Sequence, residues 1–315
     1  MLSALSTQGV VIVEGLCVDE TQTVDGSLSR RLSAHVHRLA GDIGERNVFR
    51  PDALSAAAAY IEQVWTGQGY AVRQQTYSVR GVDSANLEVS RTGSERPQAI
   101  VLLGAHYDSV RGSPGANDNA SGVAALLELA GMFAAAAPAV TVRCVCFVNE
   151  EPPFFFSREQ GSMVYAKVAR QRRDDIRLML SLETMGCYDD TRGSQSYPPL
   201  LRWFYPSRAD FIAFVSNLRS RRMLKRFAAA FGGVSDFPAE SAALPAFIPG
   251  VAWSDHRSFW RQGYPALMIT DTAFYRYAWY HSAGDTPEKI DYRRLATVTR
   301  GLFGAVMRLA GELSG

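Results

Sequence analysis

The chain has 315 residues, 47% of them apolar, so it can bury one large hydrophobic core, and we expect a single catalytic domain rather than two. Its 33 basic and 31 acidic residues nearly balance, which excludes the strongly basic surface that binding to nucleic acid or to an anionic membrane requires. Its four cysteines have neither metal-type nor disulfide-framework spacing.

The first 26 residues have no clear hydrophobic period. We predict an N-terminal extension over residues 1–26 and a single catalytic domain over residues 27–315. No basic segment precedes the N-terminal apolar run, and Glu14 interrupts that run, which argues against a secretory signal. No window reaches the roughly 18 apolar residues of a membrane span. We therefore expect a cytoplasmic protein with no membrane partner and no nucleic-acid partner.

Helices and strands alternate along the rest of the chain. Apolar residues at helical spacing predict helices over residues 27–43, 51–67, 161–173, 217–231 and 292–313. Short apolar runs predict strands over residues 70–79, 86–89, 100–105, 140–148, 178–182, 211–215 and 266–269. The segment from residue 232 to Trp253 is predicted to be irregular. This order predicts an α/β fold with three layers, α/β/α, around a central mixed, mostly parallel sheet.

The strand at residues 100–105 leads directly into polar side chains. His106 and Asp108 follow it, and a loop rich in Gly, Pro and Ser then brings Asp118 to the start of an apolar helix. Open α/β sheets bind their ligands in the crevice outside the carboxyl ends of the strands. His106 and Asp118 are therefore predicted to meet at that edge of the sheet.

Two further predicted strands also end in acids. Glu150 and Glu151 follow one of them, Glu183 follows the other, and a later loop contributes His281. So many carboxylates in one crevice repel each other unless cations neutralise them. A mixed set of histidine and carboxylate ligands suits Zn²⁺, with Co²⁺ or Mn²⁺ as substitutes. The sequence therefore predicts a metal site.

The segments around these residues resemble, in the same order, those of the zinc aminopeptidases. That family of exopeptidases with two zinc ions also contains the glutaminyl cyclases. The likeness extends over roughly residues 27–312, and its motifs lie at residues 104–109, 115–122, 149–151, 182–186, 254–256 and 280–286. The resemblance implies two zinc ions and a peptide substrate with a free N-terminus, from which the N-terminal amino acid is released. It also implies a cis peptide bond between Asp118 and Asn119.

The resemblance also implies a role for each residue of the predicted site. The implied metal ligands are His106 and Glu183 on one ion, Glu151 and His281 on the other, and Asp118 as the bridge between them. Glu150 would stay free of metal and act as general base toward a water activated between the two ions. Neighbouring residues on an extended segment point in opposite directions, which agrees with different roles for Glu150 and Glu151.

Two acids are predicted to support the histidine ligands. Asp108 lies two residues from His106 on an extended segment and can share its face, so we place it in the catalytic set as the acid that orients the imidazole. A cap at the end of the strand is the alternative for Asp108. Asp285 is predicted to support His281 in the same way.

Two residues are predicted to contact the substrate. His256, in the motif Ser254-Asp255-His256, is predicted to line the substrate pocket or to donate a hydrogen bond to the oxyanion, with a helix start at this motif as the alternative. Tyr280, in an aromatic segment beside His281, is predicted to form part of the wall of an apolar pocket.

Two other functions stay open at this point. The first is a glutaminyl-peptide cyclotransferase on the same scaffold with one zinc ion, and the second is a metal-free binding protein that keeps the peptidase fold. The oligomeric state and the side-chain preference of the substrate are open as well.

Overall fold

The computed structural model describes residues 20–199 and 201–315, with side chains from residue 26 onward. Most of the predicted N-terminal extension, residues 1–19, lies outside the described residues. Helix α1 (Glu20–Val36) begins before the predicted start at residue 27 and continues as a wider helical turn over His37–Ile43. Within the described residues, every helix is too short or too polar to cross a lipid bilayer.

One eight-stranded mixed sheet forms the centre of the fold, with the strand order β1-β2-β4-β3-β5-β8-β6-β7. The strands are β1 (Arg73–Val79), β2 (Val82–Arg91), β3 (Arg96–His106), β4 (Val140–Phe147), β5 (Asp175–Glu183), β6 (Ile212–Ser216), β7 (Ala239–Ala243) and β8 (Ala266–Thr270). The four central strands, β4, β3, β5 and β8, are parallel, whereas β2 and β6 pair antiparallel to this group. The prediction of a mixed α/β sheet is confirmed.

Helices cover both faces of this sheet. After α1 they are α2 (Pro51–Gly67), α3 (Gly122–Ala134), α4 (Gly161–Arg172), α5 (Arg221–Gly232), α6 (His256–Arg261), α7 (Ala273–Arg276) and α8 (Tyr292–Ser314). Alternate side chains of β3 face opposite layers, as the two-residue period of a strand requires. Val101 and Leu103 pack in the core that contains residues of α1, α3 and α8, and Ile100 and Leu102 pack with residues of α4 and α6.

Strand β7 is absent from the predicted elements, because its segment was predicted to be irregular. Its sequence, Ala-Glu-Ser-Ala-Ala, contains no β-branched or aromatic residue. The strand forms because it pairs in parallel with β6 at the edge of the sheet. A tertiary contact therefore overrides a weak local preference.

Candidate metal centre

Three neighbouring parallel strands bring the predicted ligands to one edge of the sheet. His106 is the last residue of β3, Glu183 is the last residue of β5, and Glu150 and Glu151 follow shortly after the end of β4. Because β3 pairs in parallel with both β4 and β5, the carboxyl ends of all three strands lie side by side. The loop that carries Asp118 crosses the same edge, so Asp118 joins these residues.

Asp118 lies between the two histidines. Its Oδ1 is 3.2 Å from Nε2 of His106, and its Oδ2 is 3.0 Å from Nε2 of His281. The peptide bond from Asp118 to Asn119 is cis, as the resemblance implies. The loop is also tight at Gly115, where φ is +64° and an added Cβ would lie 2.4 Å from the Asp118 carbonyl oxygen, so only glycine fits.

Each histidine also faces a second carboxylate. Nε2 of His106 is 3.4 Å from Oε2 of Glu183, and Nε2 of His281 is 3.3 Å from Oε2 of Glu151. The five residues therefore form two groups, each with one imidazole and one glutamate, which share the Asp118 carboxylate.

The donor atoms of this cluster fit a divalent cation. One ligand atom from each of His106, Asp118 and Glu151 lies within 4.8 Å of the others. Three buried atoms, His106 Nε2, Asp118 Oδ1 and Glu151 Oε1, make no hydrogen bond of acceptable geometry within the described part of the chain. A buried polar atom without a partner costs roughly 1–3 kcal/mol, and a bound cation would satisfy all three.

The electrostatics of the cluster also favour a cation. Burial alone would lower the pKa of His106, but the charge of Glu183 and the close contacts with Asp108 and Asp118 raise it well above its usual value. Burial and the charge of Asp118 raise the pKa of Glu151. A raised pKa means that each side chain binds its proton more tightly, and these protons partly neutralise the negative charge of the cluster. A divalent cation would displace the protons and neutralise the cluster in their place.

Glu150 lies beside the cluster without a histidine partner. It is buried, and its Oε1 accepts a hydrogen bond of 3.4 Å from Nε2 of Gln160. Burial and the charge of Asp255 raise the pKa of Glu150 well above its usual value, although the charge of His106 opposes this. Glu150 is therefore a buried carboxyl group without an imidazole partner, as expected for a general base that stays free of metal.

Asp108 contacts the site through two different groups. Nδ1 of His106 is 3.2 Å from the backbone oxygen of Asp108 and 3.6 Å from its carboxylate Oδ1. The carboxylate accepts hydrogen bonds of 3.1 Å from the backbone N–H groups of both Glu150 and Glu151. The backbone of Asp108 therefore contacts the imidazole, and its carboxylate fixes the two glutamates.

Asp285 has partners other than the predicted one. Its carboxylate accepts hydrogen bonds from the backbone N–H groups of Asn117, at 2.8 Å, and Asp118, at 3.1 Å, and from the Tyr277 hydroxyl, at 2.8 Å. Asp285 thus holds the backbone of the Asp118 loop instead of the His281 ring. Sequence proximity to His281 suggested the wrong partner, since the chain turns away between the two residues.

His256 is buried and is not among the described residues that line the cavity. Its ring is fully buried, Nε2 donates a hydrogen bond of 2.8 Å to the Val251 carbonyl, and the ring packs edge-on against Trp260. Burial lowers its pKa to about 4, so the ring stays neutral. His256 begins α6, in agreement with the helix-start alternative for this motif.

Tyr280 lies against the metal centre, near the cavity. Its ring stacks on His281 with centroids 4.0 Å apart and an interplanar angle of 16°. Burial and the charge of Asp118, followed by those of Glu183 and Glu151, raise the pKa of the Tyr280 hydroxyl. The hydroxyl therefore keeps its proton and remains a hydrogen-bond donor.

Three supporting residues were missed from the sequence. Arg46 is fully buried and donates hydrogen bonds to the carbonyls of Tyr107, Pro114 and Gly115, which ties the N-terminal layer to both ligand loops. No motif surrounds Arg46, so no sequence signal indicated it. Burial lowers its pKa to about 10 even though Asp108 and other acids lie nearby.

The other two missed residues follow patterns that the sequence did contain. Ser254 donates a hydrogen bond of 2.7 Å from Oγ to Oε2 of Glu183. Asp271 directly follows β8, and its carboxylate accepts hydrogen bonds from the Asn117 amide side chain and the Cys187 backbone N–H. The rule that selected the other acids at strand ends would have selected Asp271 as well.

A cavity of about 120 Å³ opens beside the centre. Glu183 and Tyr280 line it on the side of the centre, and its other walls are mainly aromatic and aliphatic. These walls come largely from β6 and the edge strand β7 and from the loops around residues 195–205 and 244–253. The cavity is therefore placed to hold one side chain of a molecule bound at the cluster.

Comparison with known proteins agrees with this geometry. The chain is 38% identical over 282 residues to the Escherichia coli (strain K12) protein YfbL, which covers 87% of this chain and 86% of that protein. In fold it is similar to BSAP, a zinc aminopeptidase from Bacillus subtilis, with a TM-score of 0.71 and 15% identity over 89% of this chain and 95% of that chain. It is also similar to the glutaminyl cyclase of Fimbriiglobus ruber, with a TM-score of 0.65 and 21% identity over 89% of this chain and 94% of that chain.

The family model for peptidase family M28 matches residues 86–306. This segment includes all the residues of the cluster and most of the sheet. The match confirms the predicted family and the prediction of a peptidase. The chain therefore belongs to peptidase family M28.

Proposed function

We propose that the chain is a zinc aminopeptidase that hydrolyses the first peptide bond of peptides with a free N-terminus. The observation that supports this proposal most directly is the position of Asp118 between two imidazoles, each of which also faces a glutamate. Such an arrangement offers two adjacent sites that share one carboxylate. Family M28 membership supports peptide hydrolysis as the reaction.

We assign five ligands to two zinc ions. His106 and Glu183 would hold one ion, Glu151 and His281 the other, and Asp118 both. When bound, the ions supply Lewis acidity toward the scissile carbonyl and lower the pKa of the attacking water. Asp108 and Asp285 act through the backbone, because each holds two N–H groups of the ligand loops in place.

Glu150 is the proposed general base. Its carboxylate accepts the proton of the attacking water and then donates that proton to the nitrogen of the departing peptide. The Asp108 carboxylate keeps Glu150 in place through the backbone N–H.

Tyr280 is the proposed hydrogen-bond donor to the developing oxyanion. Its hydroxyl is neutral, and its ring is fixed by stacking on His281. A fixed donor aimed at the oxygen that gains charge lowers the barrier without reorganisation during the reaction.

The carboxylates at the centre support the proposed preference for free N-termini. Glu150 and Glu151 are both buried at the centre, and once cations displace the retained protons, an α-ammonium group beside these carboxylates would be stabilised by their negative charge. The cavity next to Glu183 would then receive the first side chain of the peptide.

The test is a panel of aminoacyl p-nitroanilides assayed with zinc-loaded protein, together with their N-acetylated counterparts. We expect hydrolysis of the free anilides and at least a hundredfold lower kcat/KM for the acetylated ones. Formation of pyroglutamate from peptides with N-terminal glutamine, without anilide hydrolysis, would replace the proposal with a glutaminyl cyclase. If the purified protein neither turned over any substrate nor contained metal after gentle purification, the proposal would be replaced by a metal-free binding protein.

A further inference from the structure

A row of four residues crosses the sheet from the metal centre to the far wall of the cavity. Glu183 pairs with Thr270, Thr270 pairs with Ala213, and Ala213 pairs with Glu240. Directly paired residues on neighbouring strands project to the same face of a sheet. All four residues line the cavity, which agrees with this register.

The register fixes how far Glu240 lies from the centre. Three strand spacings of about 4.8 Å separate Glu183 from Glu240, so their Cα atoms are roughly 14 Å apart. Glu240 is therefore a wall residue at the end of the cavity away from the metal ligands. Its carboxylate is available to the end of a long side chain that enters from the centre.

The walls between these two acids are apolar and aromatic. The aromatic members include Tyr197, Tyr205, Trp253 and Tyr275, and none of the lining residues that the structure describes is a lysine or an arginine. Within residues 26–199 and 201–315, Glu240 makes no ion pair with a basic side chain. Burial and the nearby charge of Asp210 raise the pKa of the half-buried Glu240. The carboxylate therefore lacks the cationic partner that such surroundings favour.

One arginine near the cavity is already engaged elsewhere. The guanidinium of Arg276 donates to the Gln195 side chain and to the backbone carbonyls of Cys187, Ala209 and Phe211. These partners hold it in the wall behind the cavity. It is not among the lining residues and leaves Glu240 unneutralised.

We propose that Glu240 selects peptides whose N-terminal residue is arginine or lysine. This inference rests on the proposed aminopeptidase function. The aliphatic stem of the substrate side chain packs between the aromatic walls, and its cationic end pairs with the Glu240 carboxylate. Aromatic faces also attract cations, so the walls and the carboxylate favour the same kind of side chain.

Protection of the sheet edge is the alternative role for Glu240, and it leads to a different expected result. β7 is an edge strand, and inward-pointing charged residues protect such edges against pairing with other molecules. A protective role alone predicts more aggregation after removal of the charge and no change in substrate choice. The two roles are therefore separable by experiment.

The test compares the wild type, Glu240→Gln and a matched control, Glu95→Gln, which makes the same chemical change at an exposed residue next to the other end of β3. Two readouts are used. The first is the ratio of kcat/KM for arginine p-nitroanilide to that for norleucine p-nitroanilide. The second is the affinity for free L-arginine relative to L-citrulline, which has nearly the same shape without the charge, measured by calorimetry.

We expect wild type and Glu95→Gln to favour the cationic member of each pair at least tenfold. Glu240→Gln should lose at least nine-tenths of both preferences. Equal affinity of wild type for arginine and citrulline, or unchanged ratios in Glu240→Gln, would overturn the inference while anilide hydrolysis still supports an aminopeptidase. Absence of all anilide hydrolysis would overturn the proposed function instead, and the calorimetric comparison would still test the role of Glu240.

Discussion

The metal centre and the cavity beside it are built from different parts of the chain. The centre takes its ligands mainly from the carboxyl ends of the central parallel strands β3, β4 and β5. The cavity takes its walls largely from β6 and the edge strand β7, at one end of the sheet, and from irregular loops. Strands β3, β4 and β5 each have a neighbour on both sides, whereas the outermost strand β7 has a neighbour on one side only, and loops tolerate more change. The difference indicates that chemistry and substrate choice are separable in this fold.

The largest expected effect is that of Glu150→Gln, which removes the proposed base from the centre. We expect kcat/KM to fall by about 10²–10⁴-fold, the usual contribution of a positioned base, with zinc content unchanged because Glu150 has no histidine partner. Anilide hydrolysis and metal analysis measure the two quantities, with Glu95→Gln as the control. Activity within tenfold of wild type would remove Glu150 from its role.

The next effect is that of His281→Ala, which removes one imidazole from beside Asp118 and Glu151. We expect zinc affinity to fall by more than the roughly 10–100-fold that the loss of a supporting partner costs, because a direct ligand is lost. The exposed residue His37 provides the control, His37→Ala. Competition with a chromophoric chelator measures the affinity, and unchanged binding would contradict the ligand assignment.

The next prediction concerns the titration of the buried residue His256, which lies outside the ligand cluster and is not among the residues that line the cavity. Folding lowers its pKa to about 4 from 6.5, so between these values the unfolded chain binds the extra proton and the folded chain does not. Stability should therefore fall as the pH falls through this window, by about 3 kcal/mol in total.

The comparison for this titration is His256→Gln, which keeps a donor for the Val251 carbonyl but does not titrate. Urea unfolding at pH 7 and at pH 4 measures the free energy of unfolding of both proteins. The wild type should lose about 3 kcal/mol more than the variant, after common effects cancel. An equal loss in both would show that the ring is not held neutral in the fold.

A smaller effect is expected for Asp108→Asn, which keeps the shape of the side chain and removes its charge. The Glu150 and Glu151 N–H groups would lose a charged acceptor, and one amide NH₂ would face them. We expect kcat/KM to fall by about 10–100-fold. A purely capping role would change the melting temperature and leave kcat/KM within about twofold of the wild-type value.

The smallest effect concerns the cavity alone. Ala213→Leu adds volume in the middle of the row that joins Glu183 to Glu240. We expect the ratio of kcat/KM for norleucine anilide to that for alanine anilide to fall about tenfold, with zinc content unchanged. A loss of zinc in this variant would show that the two regions are not independent.

The sequence predicted the centre better than the cavity for a physical reason. Each ligand at a strand end marks an abrupt change from apolar residues to an acid or histidine, as at Leu103 to His106, and parallel strands bring such ends together. The partner of Asp285 was predicted wrongly, because a hydrogen bond to a distant backbone N–H leaves no mark in the sequence. Arg46 was missed for the same reason, since its partners are backbone carbonyls.

The cavity was harder to predict because its walls come from segments without a strong period. Strand β7 has weak β-propensity and exists only through its pairing with β6. The position of Glu240 opposite Ala213 follows from that pairing, which the sequence does not reveal. The prediction that Tyr280 would form part of a pocket wall did rest on a signal in the sequence, because Tyr280 directly precedes the predicted ligand His281.

The central claim is that Asp118 is shared by two cations. The most direct measurement is anomalous X-ray diffraction from crystals of the zinc-loaded protein, recorded on both sides of the zinc absorption edge. We predict two zinc peaks, roughly 3.5–4 Å apart, one on each side of the Asp118 carboxylate. No zinc peak within coordination distance of Asp118, with the protein folded and zinc in excess, would contradict the account.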